Sequence, residues 1–196
     1  MTNFNILLFD GFETLDAFGP AEVIGQTENL YALKYYSLKG GQVISSQQIR
    51  VETIAYDAEN KNGIWLIPGG LGTRKLVEDE EFIHMIHAVA CEADFVLTVC
   101  TGAALLAKTK WLDGRRATSN KRAFDWVQSI NEKVHWLRKA RWVAEGRFYT
   151  SSGISAGMDM TLGFLADRHG LPIAKQTAEA MEYIWHEDKE TDFFSV

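Results

Sequence analysis

Residues 94–107 read DFVLTVCTGAALLA. Residues 95–99 form a largely apolar run rich in β-branched side chains, the pattern of a strand buried on both faces. Cys100, Thr101 and Gly102 end the run, and small helix-forming residues follow at once. A buried strand feeding directly into a helix is half of a βαβ unit, which belongs to a parallel sheet. The thiol stands at the turn between the two.

Reading outward gives the same alternation. Upstream, Phe82, Ile83, Ile86, Val89 and Ala90 recur at helical spacing over residues 79–92. GIWLIPGG (63–70) reads as another buried strand, stopped by Pro68 and two glycines. FNILLF (4–9) is a first strand. DGFETLDAFG is a long turn, after which Pro20 opens a helix carrying AEVIGQTE. LKYYSLK (33–39) and QIRVETI (48–54) are strands, the second half-exposed. Downstream of LDGRRATS, Phe124, Val127 and Ile130 mark a helix face. ARWVAEGRFYTSSG is a hairpin turning at Glu145-Gly146. Two helices follow, one after SSGISAG and one from Pro172 through Trp185. No repeat, low-complexity tract or linker interrupts the pattern, so residues 1–196 are expected to form one α/β domain with helices on both faces of a mostly parallel sheet.

Composition narrows the function. With 46% hydrophobic and 23% charged residues, the chain has enough apolar material for a full core. No run approaches the roughly 18 apolar residues a membrane span needs. The start, MTNFNILLF, lacks a signal peptide's basic region, so a cytoplasmic location is expected. A net charge of −6 disfavours nucleic-acid partners. The basic clusters DGRRATSNKR and WLRKARW are read as solvated charges. Two cysteines make no disulfide framework; Cys91 is expected to be a buried small hydrophobe. His84 and His87 lie one turn apart, but with no third ligand they read as a solvated helix face, and neither a metal nor a cofactor is expected.

Ligands of open α/β sheets bind beyond the carboxyl ends of the strands. Three segments bring unusual residues there: the first strand leads to Asp16, the LIPGG strand to Gly69 and Gly70, and the FVLTV strand to Cys100. A thiol at a helix N-terminus is expected to have a lowered pKa. Amides of Thr101 and the Gly69-Gly70 turn are candidates for an oxyanion-hole-like pocket. Plainer roles stand beside these. Cys100 packs at a helix start, Asp16 caps the following helix, the glycines permit the turn, and Thr101 caps its own helix.

LLFDGFETLDAFGPAEV, LIPGGLGT, VCTGAALLA, LDGRRAT and SSGISAGMDMTL, in this order, resemble the ThiJ/PfpI superfamily over residues 4 to about 168. The resemblance implies a flavodoxin-like sandwich similar to class I glutamine amidotransferases, a reactive cysteine at a strand-to-helix elbow, and a homodimer. Peptidase-like members place histidine after the cysteine; here Thr101 follows. Members related to the parkinsonism-associated protein use a glutamate near the first helix; here the segment offers Asp16. The pairing of LD-x-x-GP with VCTG is similar to the isonitrile (isocyanide) hydratase branch. That branch implies a small-molecule substrate, a nucleophile at Cys100, its acid/base partner at Asp16, and an accompanying Thr101. SSGISAGMD resembles the family's second glycine-rich turn, which puts Ile154 toward the pocket and Ser155 at a helix cap. The same motifs occur in transcription regulators that append a helix-turn-helix domain, for which no room is expected after Val196. Three alternatives stay open: glyoxalase or deglycase chemistry, a non-catalytic redox or stress sensor oxidised at Cys100, and a regulatory binding module whose partner supplies the output.

Overall fold

Phe4, Asn5, Ile6 and Leu7 of strand β1 (Thr2–Leu7) are all buried, because helices cover the strand on both sides. The computed structural model describes residues 1–57 and 62–195. Among them β1 is followed by α1 (Thr14–Gly25), β2 (Tyr31–Ser37), β3 (Gly41–Ile44), β4 (Arg50–Ala55) and β5 (Ile64–Ile67). Then come α2 (Thr73–Leu76), α3 (Glu80–Glu92), β6 (Phe95–Val99), α4 (Gly102–Lys108), β7 (Arg116–Ala117) and α5 (Phe124–Ile130). The last elements are β8 (His135–Trp136), β9 (Trp142–Glu145), β10 (Phe148–Ser151), α6 (Ala156–His169) and α7 (Leu171–Ala180).

The described strands form an eight-stranded sheet in the order β3-β4-β2-β1-β5-β6-β10-β9, and β7 pairs separately with β8. β1 runs parallel to β2 and β5, and β6 runs parallel to β5 and β10. Among the described strands, the β3–β4 and β9–β10 pairs are antiparallel. From β1 the chain crosses to β2 on one side, whereas from β5 it crosses to β6 on the other. Right-handed crossovers of opposite direction put their helices on opposite faces. α1, α6 and α7 accordingly pack together, and α2, α3 and α5 gather around α4. The order reverses between β1 and β5, and that switch point opens a crevice at their carboxyl ends.

The expected strands, the hairpin and the helix over residues 79–92 are all present. Asp79 caps that helix, its carboxylate accepting from the Phe82 amide at 3.0 Å. Four short elements, β3, α2, β7 and β8, carry too few residues to show a period. α1 starts at Thr14, not at Pro20, which lies inside it. Proline cannot donate to the carbonyl four residues back, but Pro20 is buried and a Cβ built on Gly157 of α6 would touch it at 3.4 Å. Close packing of α1 on α6 overrides the local signal.

α7 ends at Ala180, short of Trp185. Glu182 adopts a left-handed φ of 49°, and the chain then bends onto buried Asp159. Asp159 accepts the His186 amide at 3.0 Å, and its carbonyl accepts the Trp185 indole N–H at 3.1 Å. Cys91 is exposed, not buried. The apolar stripe of α3 runs through Phe82, Met85, Ile86, Val89 and Ala90, and the residue after Ala90 points about 100° away from it. Two charges read as solvated are also interior. Arg141 is paired with Asp159 at 2.6 Å, and Lys121 donates to the carbonyl of Ala140 at 2.6 Å.

Candidate active site

The crevice at the switch point brings together Asp16, Gly69, Gly70, Cys100, Thr101 and Ile154, from four segments distant in sequence. Cys100 has φ of 56°, a left-handed conformation that costs a non-glycine residue roughly 1–3 kcal/mol. Its surroundings hold it there. The Cys100 amide donates to the carbonyls of Ser151 and Ser152, each at 3.2 Å, and its carbonyl accepts the Ser119 hydroxyl at 2.7 Å. The result is a sharp turn that lifts the thiol off the end of β6.

Asp16 lies in the first turn of α1, and its carboxyl points inward and is fully buried. It does not cap the helix; Glu13 holds that position. One oxygen accepts the Gly69 amide at 3.0 Å and the other the Ile154 amide at 3.1 Å. The Cys100 thiol interacts electrostatically with this carboxyl. Burial is the main force on this carboxyl and pushes its pKa up to about 7; the Gly69 amide opposes the rise and the Glu13 charge adds to it. Near neutral pH it therefore exchanges a proton readily.

Burial likewise pushes the Cys100 thiol well above the usual thiol range, and the Asp16 charge adds to this. The amide and hydroxyl of Thr101 act in the other direction. The lowering expected from the helix end is not realised. Cys100 is only 6% exposed, and the end of a seven-residue helix does not offset that loss of water. Sulfur and carboxyl are best treated as a pair that holds one proton between them above about pH 7.

Thr101 is buried and does not cap α4 with its side chain. Its hydroxyl accepts the Gly70 amide at 3.1 Å and lies 3.0 Å from the Thr73 hydroxyl, which itself donates to the Gly70 carbonyl at 2.7 Å. The amides of Gly69, Gly70 and Thr101 thus serve Asp16, the Thr101 hydroxyl and the Cys100 sulfur respectively. They orient the site from within. Ile154, with φ of 52°, gives its amide to Asp16 and leaves its side chain 45% exposed. That side chain borders a cavity of about 580 Å³ shared with Asn120, Arg122, Gly153 and Phe194. Ser155 stands at the N-cap position of α6 but makes no side-chain cap bond; its hydroxyl instead accepts from the Arg141 guanidinium at 3.3 Å.

Three contributors escape a reading by motif: Thr73, Ser119 and Arg74. The first two lie inside or beside LIPGGLGT and LDGRRAT, and only their hydrogen bonds reveal them. Arg74 follows Thr73, and its guanidinium interacts electrostatically with Cys100. Phe12 and Phe18 pack edge-to-face on each other, while Trp126 lies under Arg74. Among the described residues, no three metal-ligating side chains cluster, and no helix is long and apolar enough to cross a membrane.

Asp16 makes stability depend on pH in an unusual direction. An unfolded aspartate titrates near 3.9, so between about pH 4 and pH 7 the native state holds a proton that the unfolded state has lost. Native stability then falls as pH rises through that window, by up to roughly 4 kcal/mol, and is flat above it. Urea unfolding of wild type and Asp16→Asn across pH 4–8 should show this fall in the wild type relative to the variant. Parallel curves would mean that the carboxyl carries no raised pKa.

A parallel α/β sandwich with a strained cysteine coupled to a buried carboxyl at its switch point defines a class: flavodoxin-like proteins with a thiol–carboxyl site. The chain belongs to the DJ-1/PfpI family, whose model matches residues 4–167. It is 29% identical over 178 residues to an isonitrile hydratase of Pseudomonas putida, covering 90% of this chain and 76% of that protein. It is 26% identical over 184 residues to the HTH-type transcriptional regulator GbdR of Pseudomonas aeruginosa, covering 90% of this chain. The match spans about half of that regulator, 49% of its length. A ThiJ/PfpI family protein from Pseudomonas syringae superposes with a TM-score of 0.83 at 22% identity, over 93% of this chain and 75% of that one. At that identity the likeness speaks for the fold alone.

Proposed function

We propose that the protein is a cysteine-dependent hydratase of a small electrophile, of the isonitrile hydratase kind. The observation that carries the reading is the buried Cys100–Asp16 pair, with Asp16 near pKa 7. Similarity to an isonitrile hydratase over most of the chain supports it. Transfer of the thiol proton to Asp16 leaves a thiolate beside a carboxylic acid. The sulfur attacks the terminal carbon of R–N≡C, and that carbon takes the proton from Asp16, giving the thioimidate R–N=CH–S–Cys100. Asp16, now ionised, draws a proton from water as the water adds to the same carbon. Asp16 passes that proton to the nitrogen; collapse then expels the sulfur, which takes the proton of the added hydroxyl, and R–NH–CHO leaves. Gly69, Gly70, Thr101 and Ile154 serve this chemistry by holding the carboxyl and thiol in place, and the Ile154 side chain faces the substrate.

The test is direct. Incubation with cyclohexyl isonitrile should yield N-cyclohexylformamide, and intact-protein mass spectrometry after acid quench should find the substrate's mass added at Cys100. Adduct and product both absent, with methylglyoxal consumed instead, would move the assignment to carbonyl chemistry. Stoichiometric oxidation of Cys100 by mild peroxide with no turnover of either compound would move it to a sensor. The homodimer and the cytoplasmic location remain part of the same reading, with the oligomeric state open to light scattering.

A further inference from the structure

Arg74 belongs to none of the catalytic steps above, yet its position is specific. Two hydrogen bonds tie its neighbour Thr73 to the site, one hydroxyl to Thr101 at 3.0 Å and one to the Gly70 carbonyl at 2.7 Å. α2, which begins at Thr73, packs on α4, and so does α5. Trp126 of α5 lies against Ala103 and Ala104, in the first turn beyond the reactive turn. The Arg74 guanidinium bridges these two helices, stacked 3.4 Å above the Trp126 ring. It is exposed, and its charge reaches the Cys100 sulfur.

Such a stack fixes the guanidinium plane and leaves its edge N–H groups free. Among the described residues, no carboxylate or carbonyl takes up those donors. Arg116, Arg138 and Arg141, by contrast, each pair with an acidic side chain. Holding an unpaired, oriented cation on Trp126, against the helix that follows Cys100, has no packing benefit that a neutral side chain there would not also provide. A planar fork of donors matches a carboxylate in bidentate fashion.

Resting on the reading of Cys100 as the nucleophile, we infer that the site selects electrophiles that carry a carboxylate, with Arg74 on Trp126 holding the anionic end while the electrophilic carbon meets the sulfur. Arg74 is thus a specificity-determining residue, and Trp126 its positioning partner. In the hydratase reaction this points to an isonitrile bearing a carboxylate.

Charge-matched alkylation tests this without knowledge of the substrate. In a Cys91→Ser background, which removes the exposed thiol, Cys100 is alkylated with iodoacetate and, separately, with the neutral iodoacetamide. Any change in thiol ionisation affects both rates alike, so the rate ratio isolates recognition of the anion. The ratio of iodoacetate to iodoacetamide rates should fall about tenfold in Arg74→Gln, the size expected for one charge-assisted hydrogen-bonded contact. Added salt should lower the ratio in the parent and leave it unchanged in Arg74→Gln. Equal ratios in parent and variant would overturn the inference. If folded protein reacted at Cys100 with neither reagent, and did so once unfolded, the nucleophile reading itself would fall, and this inference with it.

Discussion

Turnover of the isonitrile should vanish in Cys100→Ala and fall by about 10²–10⁴-fold in Asp16→Asn, with both variants folded. The two losses differ in kind. Without the sulfur no thioimidate forms, so the residual rate is that of water alone. Without the carboxyl the thiol must ionise unaided in a site that is 6% exposed, where burial holds it protonated well above the usual thiol range. Asparagine keeps the shape and one acceptor, but it turns N–H groups toward the amide of Gly69 or Ile154, which now bond to carboxylate oxygens. The pH profile separates these effects. In the wild type, kcat/KM should rise as pH passes about 7, where the doubly protonated pair loses its first proton, and then level off. Asp16→Asn should lack that limb and rise only at higher pH. A wild-type profile flat from pH 5 to 9 would exclude the pair as the acid–base device.

The second large effect is expected from a single methyl group. A Cβ on Gly69 would sit 2.6 Å from the Thr101 nitrogen, 2.7 Å from the Thr101 hydroxyl and 2.8 Å from the Cys100 Cβ. Two of these neighbours belong to the backbone of the reactive turn or its root, so no rotamer change relieves the clash. The strand-end loop and the cysteine turn must part, and the Gly69 amide then leaves Asp16. Gly69→Ala should cost on the order of 3 kcal/mol, lower the melting temperature by about 10 °C, and reduce kcat/KM by about 10²-fold. Gly146→Ala is the matched control. Its φ of 63° strains the backbone, but a Cβ there meets nothing within 4 Å, so about 1 kcal/mol and unchanged kinetics are expected. If Gly69→Ala melted and reacted like the wild type, the contact between the two turns would not be what sets the geometry.

Much of the fold was open to a reading of periodicity alone. β5 is a continuous apolar run and β6 nearly one because both faces are covered, and α3 shows its period because only one face is. The site was legible where a rare residue type stood at a strand end: Cys100, Asp16 and the two glycines. It was not legible where the residue type is ordinary. Ser119, Thr73 and Arg74 are unremarkable in sequence, and they matter only because the chain returns them to the cysteine turn. The start of α1 and the end of α7 depart from their local signals for the same reason. α1 runs through Pro20 on the strength of its packing against α6, and α7 stops early because Asp159 draws the following segment onto itself.

By itself the sequence determined a doubly wound α/β chain with a thiol between a buried strand and a helix, because periodicity and turn chemistry are local and survive in one dimension. Only the tertiary structure decided the chemical state of that thiol. Local logic put it at a positive helix end and expected a lowered pKa. The folded chain buries it against a carboxyl whose own pKa is near 7, and desolvation outweighs the dipole. Burial depends on every neighbour at once, so it is written in the packing and not in any one segment.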